Sequence, residues 1–543
     1  MEVNLIFAFI FLLLRKVLTV SGRILITTDV ENITSENVIS VIQKALSKHQ
    51  TNAAEIQELL DFEEGEQPQP REKKYRPEID INVIDNIANE IVEFKLGYNF
   101  GYPITFKMRN STDGMIDAIQ EWNDQYFLSD ADSNNIELAR YLEIGGICCT
   151  YIDINTEWEE GEPYYIRTVL NPRTSFVIYS SYYYDKRPML GVTYRKDSDG
   201  IIHYTAFSKT DRYEIKNWKI INDDTGEINE YWSHEERSGE KNPLNIIPIV
   251  EYFRSYDRMG CFERQIPELE NINLLLSDFS NDVDQNTQVV WWANDCEFDT
   301  EEITDEEGNV TEVVKHPRSN DWLQTFTTRD GKIPKVQPLT VTYDYAGILN
   351  SIITQRALVL QKCNVPQRND NSGGSTGVAM SDATGWSAAE TAAAKEEMVI
   401  AKSIRREIKV ICAAIRESRC PEDSPLRKIN SALLEPSIKR QKSYELSVKT
   451  SAIATLLQQG FVLEDVLDAV TLFSDPAQVI ERSGESVKDK QNAKESSEEI
   501  KEDEDVKFGA EDPANQISNS PLIDGMSKEK VETVSVDKKQ VGQ

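Results

Sequence analysis

The chain has 543 residues, 39% hydrophobic and 28% charged, which predicts several cores and excludes a mostly membrane-embedded body. Its formal net charge of −33 excludes nucleic-acid binding over the general surface, because phosphates would be repelled, yet allows a nucleic acid to pass an opening where adhesion would be a fault. The seven cysteines are odd in number, include one adjacent pair and contain no C-x-x-C, so neither a disulfide framework nor a zinc site is expected.

Residues 1–20 break the polar pattern with VNLIFAFIFLLL followed by Arg15 and Lys16. The run is shorter than a spanning helix needs, and it lacks both the basic flank and the small-residue site of an export signal. A membrane anchor or export signal, a buried or interfacial segment, and an extension unused by the folded body remain as readings, and we favour the last. Residues 34–60 predict a helix with Ser35 as N-cap. A polar link, DFEEGEQPQPREKK, follows over 61–74. Residues 79–100 return to helical spacing and end at Gly97-Tyr-Asn-Phe-Gly-Tyr-Pro-Ile-Thr105. Helices are predicted over 115–127 and 134–145, and from 147 to 253 the period changes to two, predicting one antiparallel meander. Its Tyr182-Tyr183-Tyr184 run could stack bases, although sheet packing is the commoner use of such residues.

Residues 262–292 carry the dominant pattern. Ile266, Leu269, Ile272, Leu276, Phe279 and Val283 fall on one helical face at steps of three or four, with Glu268, Glu270, Asp278, Asp282 and Asp284 on others. At ~1.5 Å per residue this helix would be on the order of 40 Å long. Short strands are expected over 293–339, then a helix over 343–362, placing the strands at the far end of two long helices. The run QRNDNSGGSTGVAMSDATG after Pro366 reads as loop, and residues 387–418 as a long helix with Ser387 as N-cap. A strand is expected within 438–448, a helical hairpin broken at Gly460 over 450–473, and a disordered acidic tail beyond 481.

Chemistry is hard to find. Gly373-Gly-Ser-Thr-Gly377 matches G-x-S-x-G, but His49, His203, His234 and His316 all precede it, which excludes the chain order of an α/β-hydrolase. No phosphate-binding G-x-x-x-x-G-K-[ST] and no H-E-x-x-H is present. Acidic pairs such as Asp282/Asp284 and Asp299/Glu301 could hold Mg²⁺ in a nuclease, but so acidic a chain places carboxylates together by chance. No catalytic constellation, cofactor or metal is expected.

The order of certain motifs carries a resemblance. The Gly97–Thr105 segment precedes Leu170-Asn171-Pro172-Arg173, Leu190-Gly191-Val192-Thr193-Tyr194 and Ile247-Pro248-Ile249-Val250; Phe262-Glu263, Leu276-Ser277-Asp278 and Ser375-Thr376-Gly377-Val378-Ala379 follow. Over about residues 28–483 the chain resembles the portal proteins of tailed double-stranded DNA phages, in the branch infecting Gram-positive bacteria. The resemblance implies an α+β fold with a wing (28–261), stem helices (262–292 and 340–365), a β-rich clip (293–339), a tunnel loop (366–386), a long wing helix (387–440) and a crown (441–482). Residues 1–27 would be an apolar extension and 483–543 a disordered tail.

The function implied is a homo-oligomeric ring, usually a dodecamer, at one capsid vertex, through which double-stranded DNA is packaged, retained and ejected. Its implied partners are the terminase motor, head-completion or adaptor proteins, and the major capsid and scaffolding proteins. Assembly in the host cytoplasm and residence in the virion go with this. Arg368, Asn369, Asp370, Asn371, Ser372, Gly373, Gly374 and Ser375 would meet DNA in the tunnel loop, and Glu270, Asp278 and Asp282 would line the stem. A membrane-tethered adaptor using residues 1–20 is the alternative. The departures from the family pattern are the apolar N-terminal run and Asp61-Phe-Glu-Glu-Gly65, which stands where an aromatic-x-x-Gly element is usual.

Overall fold

The computed structural model describes residues 22–68, 80–108, 116–182, 186–221, 228–287, 290–294, 300–304, 310–314, 335–339, 344–367, 385–438, 440 and 446–470. It is a mixed helix and sheet fold in two compact units, Met1–Tyr444 and Glu445–Gln543. In the first unit, strand β1 (Thr27–Thr28) leads to helix α1 (Val38–Glu64). The first half of α1 buries Val38, Val41, Ile42, Ala45 and Leu46 against sheet residues Phe176, Ile178, Leu190 and Val192. Its second half puts Ile56, Leu59, Leu60 and Phe62 into a different, helical core. One helix therefore belongs to two cores, because its apolar row continues past the edge of the sheet. Gly65, at φ +97°, ends it, and the Glu66 N–H reaches back to the Asp61 carbonyl at 2.8 Å.

Helices α2 (Ile87–Phe100), α3 (Ile116–Leu128) and α4 (Ala131–Gly145) follow, with β2 (Thr105–Met108) between the first two. Gly146 closes α4 at φ +78°, where an added Cβ would stand 2.5 Å from the Arg258 carbonyl oxygen, so conformation and space both require glycine. The residues of period two then form two sheets rather than the single expected meander. Strands β3 (Ile147–Ile154) and β4 (Tyr165–Leu170) pair with β11 (Ile249–Phe253) in the order β11-β3-β4. Strands β5 (Ser175–Ser180), β6 (Pro188–Lys196), β7 (Ile202–Phe207) and β8 (Asp211–Ile221) make the antiparallel meander. On its edges β1 lies parallel to β5, while β9 (Ile228–His234) and β10 (Glu240–Lys241) both pair with β8. The split has a burial cause. Strand β11 is buried on both faces, and Cys149, Val177, Tyr179, Phe207, Ile247 and Ile249 form the apolar contact between the sheets.

The long amphipathic helix is α5 (Ile266–Thr287), entered through a 3₁₀ turn at Glu263–Gln265. It is shorter than the expected 262–292: the chain turns extended at β12 (Val290–Asn294), which takes Trp291 and Trp292 out of the helix. A hairpin of β13 (Thr300–Thr304) and β14 (Val310–Val314) follows, and β15 (Lys335–Leu339) returns to pair antiparallel with β12. Helix α6 (Tyr345–Lys362) then packs against α5. Helix α7 (Trp386–Glu417) lays Ile400, Ile404, Ile408, Ile411 and Ile415, at steps of four or three, into the core beneath β3 and β11. Strand β16 (Leu434–Ser437) pairs with β2.

Local expectations need three further corrections. Asn37, not Ser35, precedes α1; Gly385 in the left-handed region, not Ser387, precedes α7; and the strand expected within 438–448 lies earlier, at β16, while helix α8 (Leu446–Gln458) starts inside that range. In the second unit α8 meets α9 (Leu463–Val470) across a turn with Gly460 at φ +87°.

Candidate functional site

Helices α5 and α6 lie side by side. Leu269 and Ile272 of α5 share a buried cluster with Ile352, Val359 and Leu360 of α6, while Phe279 meets Tyr345 edge-on at 5.8 Å between ring centroids. Polar pairs flank this seam: Lys362 Nζ to Glu268 at 2.6 Å, and Asn271 Nδ2 to Gln355 Oε1 at 2.9 Å. The apolar row fades towards the end of α5, where Val283 is 40% exposed. On α6, Leu349, Ile353 and Leu358 also face outward. Strands β12 and β15 close the end of the pair, with Val290 opposite Leu339.

A second face of α5 is polar and buried. Asn273, Ser277 and Asn281, four residues apart, are each no more than 3% exposed. Their side-chain oxygens accept from the backbone N–H groups of Asp85 (2.9 Å), Val83 (2.9 Å) and Ile81 (2.8 Å). Asn281 Nδ2 also donates to the Ile81 carbonyl at 3.0 Å, and the Ser277 hydroxyl donates to the Asn273 carbonyl at 2.8 Å with the Val83 carbonyl 3.3 Å away. The match is metrical: four helical residues advance about 6 Å, and two extended residues about 6.6 Å. Residues 80–86 are therefore extended along α5 rather than helical as expected, their backbone groups satisfied by side chains in place of a sheet. Arg356 of α6 pairs with Asp85 (3.1 Å) and Glu90, tying the same segment to the second helix.

The structure does not gather the expected stem carboxylates into a cluster. Glu270 is exposed, and Asp278 and Asp282 are half-exposed along α5. Arg368 through Ser375 lie outside the described residues, as do Tyr183 and Tyr184; the Tyr182 hydroxyl reaches the Asp29 carbonyl at 3.5 Å. The residues bracketing the glycine-rich segment are informative. Gly385 has φ +90°, and a Cβ there would sit 3.9 Å from the Pro366 Cα, so the segment leaves and returns at one place between α6 and α7. Gln367 Nε2 donates to the Ala357 carbonyl at 3.3 Å, and buried Val365 bonds back to Leu360 at 2.9 Å. Beside this base lies an open cleft of 930 Å³ lined by Arg254, Gln361, Asn364, Thr391, Lys395 and Glu396.

Beneath the cleft sits a buried network that sequence reasoning missed. Arg254 bonds Glu143 at 2.8 Å and pairs with Glu396, Lys95 approaches Glu396 at 3.5 Å, and Asn99 donates to both carboxylates at 3.2 and 3.0 Å. Burial, then the neighbouring Glu396, raises the Glu143 carboxyl above its ordinary range, and Arg254 and Lys95 oppose this. Tyr98 donates to Glu390 at 2.5 Å, and Arg440 holds both Glu390 (3.1 Å) and Glu397. Farther along α7, Glu407 binds Arg167 at 2.8 Å and the Tyr252 hydroxyl at 2.5 Å. The partners lie tens to hundreds of positions apart in sequence, so no local pattern announces them. Such paired charges position helices; a lone survivor in a low-dielectric site would be costly.

The described thiols are buried. Burial pushes Cys363 and Cys412 up to about 11 and Cys148, Cys149 and Cys261 higher still, so these thiols are poor nucleophiles. Among the described residues no group of three His, Cys, Asp or Glu could hold a metal ion, and no helix is long and apolar enough to cross a membrane. Residues 1–20 lie outside the described residues.

A family model described as phage portal protein, SPP1 Gp6-like, matches residues 42–504. No curated protein matches the chain.

Proposed function

The chain belongs to the phage portal protein family, and from that premise we propose that it forms a homo-oligomeric ring, a dodecamer, at one capsid vertex. The ring is the conduit through which double-stranded DNA is packaged, retained and ejected, and the platform for the packaging motor and the head-completion proteins. The family match over residues 42–504 carries this reading. The architecture supports it: two long helices run side by side, a β neck closes one end, and the glycine-rich segment springs from their other end.

In this reading α5 and α6 are the stem, residues 293–339 the clip, 366–386 the tunnel loop, α7 the long wing helix and 441–482 the crown. Carboxylates along the stem, Glu270, Asp278 and Asp282 among them, let DNA slide because they make no counterion-releasing contacts. The tunnel loop, with Arg368 as the one cation between 368 and 375, touches DNA without gripping it. The protein is structural, and a separate ATPase supplies the work of packaging. Negative-stain microscopy and native mass spectrometry of the purified protein test the reading: closed rings are expected, and a strictly monomeric protein at micromolar concentration would overturn it.

A further inference from the structure

On a chain of net charge −33, one pocket is rimmed by cations. It has a volume of 420 Å³ and lies between α7 and the two sheets. Its floor is apolar, formed by Val177, Ile247, Ile249 and Val410. Arg187 and Lys209 stand on its sheet side, and Arg406 and Lys409 on its helix side. The carboxylate in its lining, Glu251, is 4% exposed and held by Arg258 through bonds of 3.0 and 2.5 Å, so it does not neutralise the rim. Arg406 bonds the Tyr179 hydroxyl, whereas exposed Lys209 and Lys409 make no ion pair among the described residues. Helix α7 extends the patch: Lys402 and Arg405 are exposed, while Glu396 and Glu407 turn inward to Arg254 and Arg167.

An occupant of this pocket must be anionic and must also offer an apolar group. Nucleic acid would meet the cations and leave the floor uncovered. Another copy of this chain meets both needs: copies carrying −33 each repel on average, and a cationic patch makes contact with an acidic neighbour attractive. We propose that the pocket is an interface with a second copy of this chain, receiving acidic side chains around an apolar residue of the neighbour. The contact joins unlike surfaces, and repetition of such a contact closes a ring. The inference rests on the ring reading above and names one surface that builds the ring.

The test compares Lys209→Glu/Lys409→Glu with a control, Lys44→Glu/Lys48→Glu, on the exposed face of α1; both change the net charge equally. Ring content is followed by native mass spectrometry and negative stain at 0.1 and 1 M salt, with circular dichroism to check folding. Wild type and control should form rings alike, while the pocket variant should need about tenfold more protein for half-assembly at low salt and recover at high salt, as screening shortens from about 10 Å to 3 Å. A folded pocket variant that assembles like the control overturns the inference and leaves the ring reading standing. So does one that keeps its rings but loses binding of duplex DNA or of another phage protein, which then becomes the occupant. A wild type that forms no ring overturns both.

Discussion

Replacing Ser277 by alanine isolates the strap that residues 80–86 lay along α5. In the wild type Ser277 Oγ accepts the Val83 N–H at 2.9 Å, donates its proton to the Asn273 carbonyl at 2.8 Å and lies 3.3 Å from the Val83 carbonyl, and Ser277 is 3% exposed. Alanine removes the acceptor of the Val83 N–H without adding volume. An orphaned backbone group costs about 1–3 kcal/mol when fully buried; Val83 is half-buried, so water recovers part and a net loss of about 1.5 kcal/mol is expected at the strap. The helix itself gains, since alanine exceeds serine in helix propensity by a few tenths of a kcal/mol. The two changes have opposite signs at neighbouring sites, which hydrogen exchange with mass spectrometry can separate. Amides of 81–85 should exchange about tenfold faster, and those of α5 no faster than before. Equal exchange at 81–85 in both proteins, or no protection there in the wild type, would refute the ladder.

Acid sensitivity should come partly from His49. Burial holds its imidazole at about 4 rather than 6.5, beside the Arg173 carbonyl at 3.0 Å and stacked on Phe176 at 4.3 Å. The unfolded chain binds this proton first, so stability present above pH ~6.5 is lost as pH falls towards 4, about 3 kcal/mol in all. His49→Leu should flatten that limb in urea unfolding followed by tryptophan fluorescence, and the Tyr194 hydroxyl, 2.9 Å from the Arg173 carbonyl, keeps that acceptor satisfied. Asp278→Lys/Asp282→Lys should leave rings intact and reduce DNA packaged in an in vitro packaging assay; full packaging would mean these carboxylates do not line the path. Deleting residues 1–20, which precede the family match at residue 42, should leave ring formation unchanged by negative stain.

Periodicity located most helices and strands because burial along one face repeats locally: the isoleucine row of α7 and the apolar row of α1 are visible in the sequence itself. What periodicity does not encode is partnership. Strands β3 to β7 mostly alternate or run apolar, yet which of them joins β11 is decided by packing between sheets at Cys149, Val177 and Ile249. Nothing in the pattern of α5 marked Asn273, Ser277 and Asn281, which hold a backbone segment. Polarity was silent on Glu396 and Glu407, 9% and 1% exposed, whose neutralising arginines lie far away in sequence. The motif order that carries the family resemblance was legible; the site's geometry was not, since its buried polar groups are defined by distant partners.

The meeting of Pro366 and Gly385 has an evolutionary consequence. A segment whose two ends are already together can grow or shrink without moving what holds it, and each doubling of length adds only about 0.6 kcal/mol of closure cost. The chain between those anchors is in effect a cassette. Its charge and bulk can change while α6, α7 and the ion pairs beneath them are inherited unchanged.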